Sequence, residues 1–209
     1  IVFGDWSSDV CSSDLVATGM LDWDRATRRP MGFDYRPGGL MKLWILLEND
    51  VPPAGRPYVA GVDIATGSQD LSGRGASNSV ISIADRDTGE KVFEYACSGV
   101  PPHEFADTCV ALCRWFNNAF MVWEANGPGA LFGNTVVKLN YDAIYFRRNE
   151  ASLSRKVSNQ PGWYSTPETK RLLLGEYRKA VESGSFVNHS LESLNEARSE
   201  ERRVGKEGR

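Results

Sequence analysis

Apolar and polar positions fall into short runs along this chain, and the runs become regular from Tyr58 onward. "YVAGVDIA" (58–65), "SVISIAD" (79–85) and "KVFEYACS" (91–98) each read as a strand, rich in β-branched and aromatic residues. A polar, glycine-rich loop separates the first two, and "DRDTGEK" joins the second and third as a hairpin turn in which Gly89 suits a positive φ. "PPHEFADTCVALCRWFNN" changes period: Phe105, Cys109, Leu112, Cys113 and Phe116 line one face of a helix that a proline opens. A short strand, "FMVWE" (120–124), a glycine-started helix, "GPGALFGNTVVKLN", and another strand, "AIYFRR" (143–148), follow. "EASLSRKVSNQPGW" is polar and irregular. The last helix is delimited by Thr166 as cap, Pro167 at its first position and Gly184 as its stop. Ahead of this block, residues 16–57 are broken by Pro and Gly, with one strand predicted at about Met41–Leu47 and a linker in "VPPAGRP" (51–57).

The predicted order from Tyr58 is β-β-β-α-β-α-β-α. Three meandering strands followed by alternating helices and strands describe an α/β fold, a mixed sheet with helices on both faces, in the ribonuclease H-like order. A dinucleotide-binding fold begins βαβ, and the hairpin after the first strand disfavours it.

The two ends change the picture. Asp5 to Leu15 back-translates into a common short-read sequencing adapter read in frame, and 198–208 into its companion, with a departure at Gly208. Residues 1–15 and 198–209 are therefore expected to be adapter-derived and non-native, and are set aside as an expression scar would be. The native segment is expected to run from about Val16 to Ala197 and to be cut from a longer gene. The basic run at the C-terminus is not read as a nucleic-acid-binding arm.

What remains is long enough for one domain with a sizeable core. The formal charge is −3 for the whole chain. Setting the ends aside removes five basic and six acidic residues and leaves −2. A globally basic nucleic-acid binder is not indicated, so any such contact is a local patch. Apart from Cys11, the cysteines are Cys97, Cys109 and Cys113. An odd number without a signal peptide argues against a disulfide scaffold and for a reducing compartment. Cys109 and Cys113 share a helix face among apolar residues and read as core rather than as half of a zinc site. No apolar stretch approaches membrane-spanning length.

Two carboxylates carry the candidate chemistry. Asp63 ends an apolar strand, where it either caps a turn toward Gly67 or waits for a cation. Glu124 ends "FMVWE", where it either caps the next helix or does the same. Adjacent strands in a ribonuclease H-like sheet would bring the two together, and close carboxylates repel unless a cation sits between them. Hard divalent ions take oxygen ligands and keep waters for phosphate oxygens. Asn126, Gly127 and Gly129 shape the turn after Glu124 and permit close approach of backbone or ligand.

"YVAGVDIATG", "GASNSVISIADRDTGEKV", "ALCRWFNNAFMVWEANGPG", "YFRRNE" and "GWYSTPETKRLLLGEYRKAVESG" together resemble the nuclease domain of tailed-phage terminase large subunits, in order over about Tyr58 to Asn195. No single motif is specific; the ordered set is. The resemblance implies a C-terminal ribonuclease H-like domain, residues 58–197, that cuts concatemeric double-stranded viral DNA. It implies that 16–57 leads in from an N-terminal ATPase. Asp63 and Glu124 would be metal-binding catalytic acids for Mg²⁺ or Mn²⁺, in a two-ion site. A third acid normally follows further downstream, so this fragment is expected to be inactive or weak alone. Arg147, Arg148, Arg155, Lys156, Lys170 and Arg171 would offer phosphate contacts, or form a solvated face. Portal protein, small terminase subunit and a place in the host cytoplasm during phage assembly are further implications. Two other readings stay open: an actin-like or sugar-kinase-type ATPase, whose first phosphate loop "GVDIATGS" resembles, and a non-catalytic ribonuclease H-like interaction domain.

Overall fold

A computed structural model describes residues 15–67, 77–148 and 157–207, with side chains left out at 148, 157 and 201–207. The predicted meander is present as β4 (Tyr58–Asp63), β5 (Asn78–Asp85) and β6 (Lys91–Ser98), paired antiparallel. Asp85 makes the β5–β6 turn: its Oδ1 accepts from the N–H of Asp87 at 2.9 Å and of Thr88 at 3.3 Å. Gly89 then takes φ +72°, with the Ser185 carbonyl where a side chain would stand.

The stretch read as a broken lead-in contributes three strands. They are β1 (Ala17–Trp23), β2 (Pro30–Tyr35) and β3 (Met41–Leu43). β1 pairs with both, and β3 pairs with β6, so the main sheet runs β2-β1-β3-β6-β5-β4 and ends on β7 (Phe120–Trp123). The strand predicted over 41–47 is thus only three residues long. Burial of Leu21, Phe33, Met41 and Leu43 on one face holds these strands to the sheet. Fully burying an aliphatic or Phe side chain contributes about 1.5–3 kcal/mol, which local sequence pattern does not reveal. The linker at 51–57 is also tied down, since Asn117 Nδ2 donates to the carbonyls of Pro53 and Arg56.

α1 (Pro102–Trp115) lays its predicted stripe on the sheet, and Phe105, Cys109, Leu112, Cys113 and Phe116 are all fully buried. It stops where Asn117 and Asn118 turn left-handed, at φ 52° and 58°. α2 (Pro128–Lys138) packs beside α1 on the same face. Tyr58 and Phe93 meet Phe116, Tyr95 meets Phe105, and Trp123 meets Phe132 in aromatic contacts across this layer.

The last third differs more. The strand predicted over 143–148 is β8 (Phe146–Arg148), and part of the segment read as irregular forms β9 (Val157–Pro161), pairing with β8 as a separate hairpin. α3 (Pro167–Glu182) begins at its predicted cap: the Thr166 side chain accepts from the Thr169 N–H while the Thr169 hydroxyl accepts from the Thr166 N–H. A further helix, α4 (Leu191–Glu207), runs through the adapter-like segment, which is rich in helix formers. Its buried anchor is Leu194, ahead of that segment, and Glu200 lies 3.6 Å from Lys170.

The start of α4 covers part of the sheet face opposite α1. Lys42 and Glu94 point there, since they alternate with the core residues of their strands. Glu94 is buried and hydrogen-bonded to the buried Lys91. The Ser190 hydroxyl donates to Glu94 at 3.2 Å, and Lys42 Nζ is 3.6 Å from Glu94 and 2.6 Å from Glu192. This polar network fastens the chain after α3 to the sheet.

Candidate metal and nuclease site

Asp63 and Glu124 occupy matching positions on neighbouring parallel strands. The β4–β7 register runs Val59↔Phe120, Ala60↔Met121, Gly61↔Val122 and Val62↔Trp123, so the next pair in sequence is Asp63 and Glu124. Tyr58, Ala60 and Val62 on β4, and Met121 and Trp123 on β7, face the core. Alternation therefore sends Asp63 and Glu124 to the opposite face, on strands about 4.8 Å apart.

Neither carboxylate is used locally. Among the described residues, neither accepts a hydrogen bond or forms an ion pair. Among the described residues, the cap toward Gly67 expected as an alternative for Asp63 is absent. The Ala65 N–H donates to Ser79 Oγ at 3.0 Å, and Gly67, at φ +73°, packs so closely that an added Cβ would lie 2.6 Å from the Val100 carbonyl oxygen. Glu124 does not cap α2 either: the cap position is Gly127, with no side-chain hydrogen bond.

The turn residues take separate roles. Gly127 supplies φ +51°, and Gly129 lets the first turn of α2 sit against the Glu124 carbonyl. Asn126 turns to protein rather than to open space, its Nδ2 donating to the Ser165 carbonyl and its Oδ1 accepting from the Ser165 N–H, both at 2.9 Å. Beneath Glu124, the Trp123 indole fills a slot walled by Gly133 and Gly162. An added Cβ on either would lie 2.7 Å from the indole. Sequence reading missed this slot and the Ser165 partner; Gly133 and Gly162 around one Trp are the signal it contained.

The cations are less convergent. Arg147 serves the hairpin base: its Nε donates to the Gly162 carbonyl at 3.1 Å, an outer nitrogen donates to Gln160 Oε1 at 2.9 Å, and the guanidinium stacks 5.1 Å from the Tyr164 ring centre. The Arg148 backbone lies in β8, while Arg155 and Lys156 lie outside the described residues. Lys170 and Arg171 sit on α3, Lys170 near Glu200 and Arg171 exposed.

α4 adds one more acid to this face. Burial raises the Glu196 carboxyl above its usual range, and the charges of Glu94 and Asp63 raise it further. Among the described residues, no group of three or more His, Cys, Asp or Glu side chains is close enough to hold a metal ion. Two carboxylates without a partner among the described residues fit a hydrated hard cation that keeps most of its own waters, and do not fit a closed protein cage.

The sheet order and helix placement define a ribonuclease H-like α/β domain, and solved structures sharpen that class. The large terminase nuclease from thermophilic phage G20c with bound magnesium superposes with a TM-score of 0.57 at 14% identity, over 95% of this chain and 81% of that one. The same nuclease with bound zinc gives 0.53 at 14% identity, over 90% and 84%. The Thermus phage P74-26 large terminase nuclease domain gives 0.50 at 18% identity, over 90% and 76%. The chain has the fold of large terminase nuclease domains. The sequence matches no family model and no curated protein. Among the described residues, no helix is long and apolar enough to cross a membrane.

Proposed function

We propose that this chain is the divalent-metal-dependent endonuclease domain of a viral DNA-packaging terminase, acting on concatemeric double-stranded DNA. The observation that carries this reading is the pair of carboxylates, Asp63 and Glu124, that have no partner among the described residues and stand at the carboxyl ends of adjacent parallel strands. Such strand ends are where open α/β sheets place ligands. Mg²⁺ or Mn²⁺ bound there would polarise a phosphodiester and activate water. The chain's own part is to present two acids on one sheet face, with β4 anchored through Ala65 and β7 through the turn into α2. Arg147, Arg148, Lys156, Lys170 and Arg171 are proposed to meet phosphate oxygens, worth a salt-dependent share of DNA affinity. A domain of this kind works in the host cytoplasm with the portal and the small terminase subunit. The ion is expected to be held weakly by two acids, and cleavage by this chain alone to be slight.

The test is Mn²⁺ binding, followed by the electron-spin-resonance signal of free Mn²⁺. The unaltered chain takes up Mn²⁺, while Asp63→Asn and Glu124→Gln each lose most of that uptake. Any plasmid relaxation by the chain should require the metal and be abolished by Asp63→Asn. Equal Mn²⁺ uptake by all three proteins, or equal relaxation with and without Asp63, would overturn the assignment.

A further inference from the structure

Asn126 takes over where a main-chain ladder stops. Beyond β7 the backbone pairs with the residues leading into α3: the Trp163 N–H donates to the Trp123 carbonyl at 2.8 Å, and the Ala125 N–H donates to the Trp163 carbonyl at 2.7 Å. Glu124 lies inside this paired stretch, bridged to Trp163 on one side and one residue beyond the Val62↔Trp123 pair of the β4–β7 ladder on the other. The ladder goes no further, because Gly127 turns the chain into α2. At that point the Asn126 amide makes both bonds to Ser165 at once, donating to its carbonyl and accepting from its N–H. Ser165 immediately precedes Thr166, the capped start of α3. The turn that carries Glu124 is thereby clamped across 39 residues of sequence.

We propose that Asn126 is a positioning residue for the Asp63–Glu124 pair. Its amide holds the Glu124 backbone in the register that faces Asp63, so divalent-ion affinity depends on Asn126 although Asn126 is not a ligand. This rests on the metal-site reading above. Two neighbouring carboxylates repel, and among the described residues neither has a side-chain partner to steady it. The restraint must come through the backbone, and one side of that backbone ends at Asn126. Only a side chain with an adjacent donor and acceptor can satisfy both Ser165 groups. Aspartate keeps the acceptor for the Ser165 N–H but sets a carboxylate against the Ser165 carbonyl; alanine leaves both groups unmatched.

The experiment measures Mn²⁺ affinity on the full chain, with thermal melts alongside, for Asn126→Ala, Asn126→Asp, Asp63→Asn and Leu21→Ala. Leu21 is a buried residue on β1, four strands from β4, and its variant reports the effect of lost stability alone. Loss of an outer-shell partner typically lowers metal affinity by roughly 10–100-fold, and Asn126→Ala should weaken Mn²⁺ binding at least tenfold at a temperature where every variant is folded. Asn126→Asp adds a negative charge beside the acids yet should also weaken binding, while Leu21→Ala should bind like the unaltered chain. Tighter binding by Asn126→Asp would mean that charge or ligation, not positioning, is what Asn126 offers, and would overturn the proposal. So would unchanged affinity in both Asn126 variants while Asp63→Asn loses Mn²⁺. If Asp63→Asn binds normally, the metal-site reading itself falls, and this inference with it.

Discussion

Gly133 and Gly175 both lie inside helices, and replacing each with alanine should move stability in different directions. At an unobstructed helix-interior site, alanine is favoured over glycine by about 0.8–1 kcal/mol. Gly175 in α3 is such a site, with nothing within 4 Å of an added Cβ. Gly133 in α2 is not. Its Cβ would stand 2.7 Å from Trp123 Cζ2, 2.9 Å from Nε1 and 3.0 Å from Cε2. The indole cannot retreat, because it is buried, meets Phe132 at 5.7 Å between ring centres, and has Gly162 against Nε1 on its other side. Overpacking a filled core costs about 1–3 kcal/mol. Gly175→Ala should therefore stabilise by about 1 kcal/mol, and Gly133→Ala should be between neutral and about 2 kcal/mol destabilising. Their difference isolates the clash. At roughly 2–4 °C per kcal/mol for a chain of this size, the two melting temperatures should differ by roughly 2–12 °C. Thermal melts and urea titrations of both variants measure it. Equal stabilisation by the two substitutions would show that Trp123 has room to move and that the glycine slot is not closed.

Lys91→Met should cost about 3–5 kcal/mol in urea unfolding, because it leaves Glu94 charged and buried without its closest partner. The doubly substituted Lys91→Met/Glu94→Leu chain should recover part of that loss. Burial by itself would raise the Glu94 carboxyl, but the Lys91 charge and hydrogen bond, then Ser190 and Lys42, lower it below the usual carboxylate range. The folded value lies under the unfolded one, so this group's stabilisation is present above the ordinary glutamate range and is lost as pH falls through the lowered value. Glu94→Gln should accordingly flatten the acid limb of a stability-versus-pH curve; an unchanged limb would count against the pairing. Burial raises the thiols of Cys97, Cys109 and Cys113, most strongly the last two. In a Cys11→Ser background, Ellman's reagent should therefore react with them only after unfolding, and fast reaction of the native chain would contradict their placement.

Elements whose evidence is local were legible from the residues. The α1 stripe, the β4–β5–β6 meander with Gly89 at its turn, and the Thr166-Pro167 start of α3 each follow from periodicity, a cap or a backbone requirement within a few residues. The placement of Asp63 and Glu124 was half legible: each stood at a strand end, but their common face needed the β4–β7 register. What tertiary structure decided is non-local. β1–β3 lie in a stretch broken by Pro and Gly, and become strands because β6 offers an edge and the core accepts Leu21, Phe33, Met41 and Leu43. β9 looked irregular because its polar residues need only β8 to pair with. Asn126 read as a turn residue because its partner, Ser165, lies 39 positions away, and Glu94 read as one strand residue among others because Ser190 lies 96 positions away. A sequence displays periodicity and the chemistry of each residue. Which distant group satisfies a buried amide or carboxylate is settled only when the chain closes on itself, since the cost of leaving that group unmatched arises only on burial.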